Sequence, residues 1–141
     1  PDTAVIDPAL AQTVLDMLET VTGPAGTAGK AAVPYYRVAG KSGTSIKAGV
    51  GGYTEARYIS VFAGMAPVSN PRLAAVVVIN DPTAGQYYGG LVAAPAFGQI
   101  VGGALRLMNV TPDSQLIVEQ QRSREEELEA AAEAVGEATL P

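Results

Sequence analysis

The 141-residue chain contains no histidine, no cysteine and no tryptophan. Without imidazole or thiol there is no Ser-His-Asp triad, no Cys-His pair, no disulfide framework, and no zinc or iron–sulfur site. A catalytic base is therefore a lysine, a tyrosine or a carboxylate, and no metal or other cofactor is expected. No uninterrupted apolar run approaches 18 residues, so no membrane span is expected. No aromatic–basic stripe of the kind that binds nucleic acid is present. A basic-then-apolar leader is also missing before Pro1, which reads as a mature product or a piece of something longer, with any anchor upstream.

Over most of the chain the charges of the two signs nearly balance. The net charge is −5, but residues 1–110 carry seven basic against six acidic side chains, whereas residues 111–141 carry two against eight. The acidity belongs to the tail. With 48% apolar and 16% charged residues overall, residues 1–110 can support a core near the marginal end of the size range.

Asp7-Pro8 is a helix start, a carboxylate for the free N–H groups followed by a proline that needs no donor. Leu10, Val14, Met17, Leu18 and Val21 recur at helical spacing until Gly23-Pro24, predicting a helix over residues 8–22. Residues 23–34 form a Gly/Ala/Pro loop of a length that is uncommon in compact domains and often functional, a reading that stands level with a plain connector. Residues 35–48 and 56–66 are extended in character and flank Gly49-Val50-Gly51-Gly52, which predicts a hairpin. Leu73 to Ile79 is unbroken apolar sequence, expected to be buried on both faces. Ala93, Phe97, Ile100, Val101, Ala104 and Met108 predict a helix over residues 91–108. Its Gly98, Gly102 and Gly103 each cost about 1 kcal/mol relative to alanine, reasonable if the helix lies close on the sheet. The fold class is α+β: helix, three antiparallel strands, helix. One sheet face then lacks cover, unless the first helix crosses to it or a segment outside this chain supplies it. Residues 111–141 are expected to be a disordered tail with a transient helix near residues 125–135, because Leu128 and Val135 are too few to dock it. Its removal from Thr111 onward is expected to leave activity unchanged.

Gly40-Lys41-Ser42-Gly43-Thr44 is the one dense cluster of polar chemistry. A phosphate loop would need glycine six residues before the lysine, where Tyr35 stands, and a helix after it, where a strand is predicted. Lys-Ser/Thr-Gly on a strand is instead one of three motifs of penicillin-recognising serine acyltransferases. A strand edge offers an unpaired N–H to an acyl oxyanion, and Gly43 lets a ligand lie flat on the backbone. The hydroxyls of Ser42 and Thr44 can hold a carboxylate, and Lys41 supplies positive charge and a proton relay.

Together YRVAGKSGT (36–44), AAVVVINDP (74–82), YYGG (87–90), AAPAFGQI (93–100) and LRLMNV (105–110) resemble the C-terminal part of a class B penicillin-binding protein, of the division-specific septal transpeptidase type of Gram-negative bacteria. The likeness covers residues 7–110. It implies a penicillin-binding-protein/β-lactamase-like transpeptidase domain in which Lys41 tunes the proton shuttle. Ser42, Gly43 and Thr44 would hold the carboxylate of a D-Ala-D-Ala stem peptide or a β-lactam. The Thr44 N–H would complete the oxyanion hole, where one donor is worth about 3–4 kcal/mol. Tyr87 and Tyr88 match an aromatic loop beside the pocket, a reading that stands level with plain turn and core filler. The resemblance further implies attachment to an upstream part of the same protein, divisome membrane partners, and a periplasmic position at the inner membrane through an upstream helix.

Two motifs of the family are missing. No serine here has lysine three residues on, and no Ser-x-Asn or Tyr-x-Asn occurs. The chain alone is thus not expected to be acylated, and the nucleophile would lie upstream. Ile46 stands where related sequences often carry a basic residue. Rival readings are a non-catalytic β-lactam sensor of the same fold, a serine β-lactamase, or a self-contained binding module. Only the last predicts a cooperative thermal transition for residues 1–110 alone.

Overall fold

The computed structural model describes residues 5–47, 57–115 and 122–124. Helix α1 spans Pro8–Thr20. Asp7 caps it as predicted, its Oδ1 accepting from Ala9 N–H at 2.8 Å and Leu10 N–H at 3.2 Å. Strands β1 (Ala39–Ile46), β2 (Tyr58–Ala66) and β3 (Leu73–Asn80) form an antiparallel sheet in that order. Helix α2, Gly89–Leu107, follows. The α+β order read from the sequence holds. The Gly-rich turn between β1 and β2 lies outside the described residues, as does the acidic stretch from residue 125.

The core sits between α2 and one face of the sheet. Phe62 of β2 and Phe97 of α2 are both fully buried and meet edge to face, centroids 4.8 Å apart. Space for the two rings comes from Gly40 and Gly64, paired across β1 and β2. A Cβ on Gly40 would stand 2.5 Å from Phe62, and one on Gly64 3.0 Å from Phe97. The helix glycines do something other than the spacing suggested. Gly98 and Gly102 let α2 approach the 3₁₀ turn Gly29–Ala31 and Val33, and Gly103 faces open space. Although α2 is long and apolar enough to cross a membrane, which the interrupted apolar runs did not suggest, Ala93, Ala94, Phe97, Val101 and Leu105 bury its inner face here.

Strand β3 corrects an expectation. Its burial alternates, with Leu73, Ala75, Val77 and Ile79 half-buried toward α2 and Val76 and Val78 64% and 56% exposed on the other side. The reason is the position of α1, which packs beside β1 instead of crossing the sheet. Glu19 of α1 grips Arg37, just before β1, through two charge-assisted bonds of 2.7 and 2.5 Å. That bond raises the Arg37 pKa against the opposing effect of its partial burial. Leu10, Val14 and Met17 remain exposed along α1, so an apolar surface is left on this side of the sheet.

The folded part does not stop at Val110. Asn109 takes a left-handed conformation, φ 51°. The N–H groups of Asn109 and Val110 turn back onto the carbonyls of Arg106 and Leu105, both at 3.1 Å, closing α2 with paired C-terminal capping bonds. The reversal carries the following residues to the base of β1. Tyr36 donates to the Val110 carbonyl at 2.7 Å. Asp113, 2% exposed, accepts from the N–H of Arg37 at 2.6 Å and of Ser69 at 3.3 Å. Cutting the protein after Val110 would orphan both donors, at about 1–3 kcal/mol each, whereas cutting after Gln115 spares them. Thermal melting should fall only for the first cut, and equal melting of the two would refute the role given to Asp113. A truncation from Thr111 would therefore remove the bonds that Asp113 makes to Arg37 and Ser69.

Candidate active site

Strand β1 is an edge strand, so along its outer side the N–H groups have no strand partner. Lys41, Ser42, Gly43 and Thr44 lie in its middle, paired with Ala63, Phe62, Val61 and Ser60. Alternation along the strand puts Ser42 and Thr44 on the α2 side with Phe62 and Ser60. Lys41 and Gly43 lie on the opposite side. Lys41 is exposed, and its Nζ donates to the Ser42 carbonyl at 2.8 Å.

An open cavity of about 400 Å³ at this edge is bordered by Lys41, Ser42, Thr44, Thr27, Tyr88 and the start of α2. A larger hollow of about 520 Å³ lies under residues 79–86. Its lining contains no cation, and its one carboxylate, Asp81, is held by Arg57 at 2.6 Å. Convergent polar chemistry singles out the smaller cavity.

The start of α2 reaches the motif because Gly89 has no side chain. A Cβ there would lie 2.3 Å from the carbonyl oxygens of both Gly43 and Val61. Its N–H donates to Thr44 Oγ1 at 3.0 Å, so the helix terminus and the motif strand are joined by one hydrogen bond. The free N–H groups of a helix start also favour anions nearby. The buried Ser60 hydroxyl donates to the Tyr87 carbonyl and fixes the loop ahead of the helix.

The two tyrosines divide their roles. Tyr87 stacks on Tyr58, centroids 4.0 Å apart and planes within 11°. Tyr88 is 55% exposed, borders the cavity and accepts from the Tyr87 hydroxyl at 3.3 Å. The hydrogen bond between the two phenols, the main cause, raises the Tyr88 pKa above its usual value. Ile46, 49% exposed, ends the strand with an apolar rim. Among the described residues no group of acidic side chains could hold a metal ion.

Gly89, Ser60 and Thr27 were not singled out from sequence. The YYGG run could have indicated the first, since paired glycines at a helix start are poor for propensity and suggest close approach. Ser60, inside an apolar strand, carried a weaker signal, and Thr27 carried only the length of its loop.

Residues 1–102 match the family model described as the penicillin binding protein transpeptidase domain. The peptidoglycan D,D-transpeptidase FtsI of Escherichia coli K12 is 51% identical over 114 residues, 81% of this chain and 19% of that protein. The probable peptidoglycan D,D-transpeptidase PbpC of Pseudomonas aeruginosa is 46% identical over 109 residues, 77% of this chain and 19% of that one. Among solved structures, the apo transpeptidase domain of Burkholderia pseudomallei penicillin-binding protein 3 superposes with TM-score 0.71 at 47% identity, covering 79% of this chain and 34% of that one. The chain spans about a fifth of the length of these curated relatives.

Proposed function

Because this chain belongs to the penicillin-binding protein transpeptidase family, we propose that it is the C-terminal part of a serine D,D-transpeptidase that cross-links peptidoglycan stem peptides at the division septum. The observation that carries this reading is the edge strand bearing Lys41-Ser42-Gly43-Thr44 with the start of α2 bonded to Thr44. In the proposed reaction a serine outside this chain attacks the carbonyl of the penultimate D-Ala. The C–N bond to the terminal D-Ala breaks and the leaving amine takes a proton. An amine on a second stem peptide then displaces the serine. The Thr44 N–H and the nucleophile's own N–H stabilise the oxyanion. The Ser42 and Thr44 hydroxyls, with Gly43 giving clearance, bind the terminal carboxylate. Lys41 relays the proton, and Tyr88, backed by Tyr87, walls the pocket.

A β-lactam would enter as a substrate mimic, its ring opening onto the same serine. The remainder of the domain, upstream in the same protein, would bring the nucleophile and cover the exposed Val76 and Val78. On this reading residues 1–110 and the docked segment after them belong to the transpeptidase domain. An upstream helix anchors the whole at the periplasmic face of the inner membrane, among divisome membrane proteins.

Fluorescent penicillin tests the reading on the intact protein. Labelling with slow turnover and transfer of a stem peptide to an amine is expected. Absence of labelling would refute the reading. Fast turnover would indicate a β-lactamase, and labelling without transfer a sensor.

A further inference from the structure

The loop of residues 23–34 has no part in the function just proposed, and the inference it supports rests on that reading. The chain on both sides of Thr27 is fixed. Gly26 N–H bonds the Gly23 carbonyl and Ala28 N–H the Val21 carbonyl, each at 2.9 Å, and Ala28 is buried. The start of α2 presses on the same point, since a Cβ on Gly90 would stand 2.0 Å from the Thr27 carbonyl oxygen. The loop therefore presents Thr27 at a set place in the cavity that holds Lys41, Ser42 and Thr44, with its Oγ1 3.4 Å from Ser42 Oγ.

Thr44 Oγ1 accepts from Gly89 N–H, which leaves its own O–H to donate elsewhere. Thr27 and Ser42 share one hydrogen bond, so one of their two protons is used between them. If Thr27 is the donor, the Ser42 proton is released toward the cavity alongside that of Thr44. Hydroxyl positions two residues apart on one strand face stand about 6–7 Å apart, a span that one carboxylate can bridge with an oxygen on each. A carboxylate accepts and cannot donate, so two freed protons match it.

We propose that Thr27 is a positioning residue that donates to Ser42 Oγ and turns the Ser42 proton toward the ligand carboxylate, setting the affinity for carboxylate-bearing substrates. The test follows acylation of the intact protein by benzylpenicillin and by its methyl ester, separating the concentration for half-maximal rate from the limiting rate. Thr27→Val keeps shape and removes the donor. For benzylpenicillin it should raise the half-maximal concentration about three- to tenfold, one hydrogen bond's worth, and leave the limiting rate unchanged. The ester should not distinguish Thr27→Val from the parent, and Thr27→Ser should restore benzylpenicillin binding. Unchanged benzylpenicillin binding in Thr27→Val, an equal loss with the ester, or failure of Thr27→Ser to rescue would each overturn the proposal while leaving the transpeptidase reading standing. An unreactive parent protein would overturn both.

Discussion

Replacing Lys41 by alanine in the intact protein should slow acylation by a fluorescent penicillin about 10²- to 10⁴-fold, the span that positioned proton transfer contributes, with no matching loss of stability. The two effects separate because Lys41 is exposed and, among the described residues, its side chain bonds only to the carbonyl of the next residue, at 2.8 Å. Removing such a side chain changes stability by about 0.5 kcal/mol or less. Lys41→Arg sharpens the test. Arginine keeps the charge but stays protonated at any working pH, so it should recover ligand affinity without recovering the rate. Unchanged labelling of Lys41→Ala would remove Lys41 from the mechanism, and full recovery by arginine would make its role electrostatic only.

Gly89→Ala should damage fold and site together. The added methyl would meet two backbone carbonyls at 2.3 Å, one of them that of Gly43 in the motif. Neither oxygen can rotate away as a side chain would, so the start of α2 must retreat. Overpacking of this kind costs about 1–3 kcal/mol, and the retreat also breaks the Gly89 N–H bond to Thr44 Oγ1. Acylation should therefore slow more than the loss of folded protein explains. Gly103→Ala is the control, because nothing stands within 4 Å of a Cβ there, and it should gain up to about 1 kcal/mol from helix propensity. If Gly89→Ala melts and acylates like the parent, the close junction of helix and strand is not what shapes this site.

These expectations draw unequally on sequence and structure. The Asp7 cap, both helices and the strand carrying Lys41-Ser42-Gly43-Thr44 were legible because each depends on neighbours within a turn or on strand alternation. The place of Asp113 was not. Its partners Arg37 and Ser69 lie 76 and 44 residues away, and the composition of an acidic segment does not single out one buried carboxylate. Only the reversal at Asn109 brings it back, and a lone Asn after a helix is a modest signal. Strand β3 misled for a related reason. A continuous apolar run reports that both faces suit a dry environment, and the cover for Val76 and Val78 is not within the described residues. The site was half legible: its donors were nameable from the motif, Gly89 was hinted at only by the paired glycines of YYGG, and Thr27 joins it through a contact that no local pattern encodes.

The central claim is that this chain supplies the motif strand to a nucleophile carried elsewhere in the same protein. Its most direct test is to label the intact protein with benzylpenicillin, digest it, and locate the penicilloyl adduct by mass spectrometry. The adduct should sit on a serine outside these 141 residues, three positions before a lysine. An adduct on Ser42, Ser45 or any other serine of this chain, or no adduct at all, would contradict the claim.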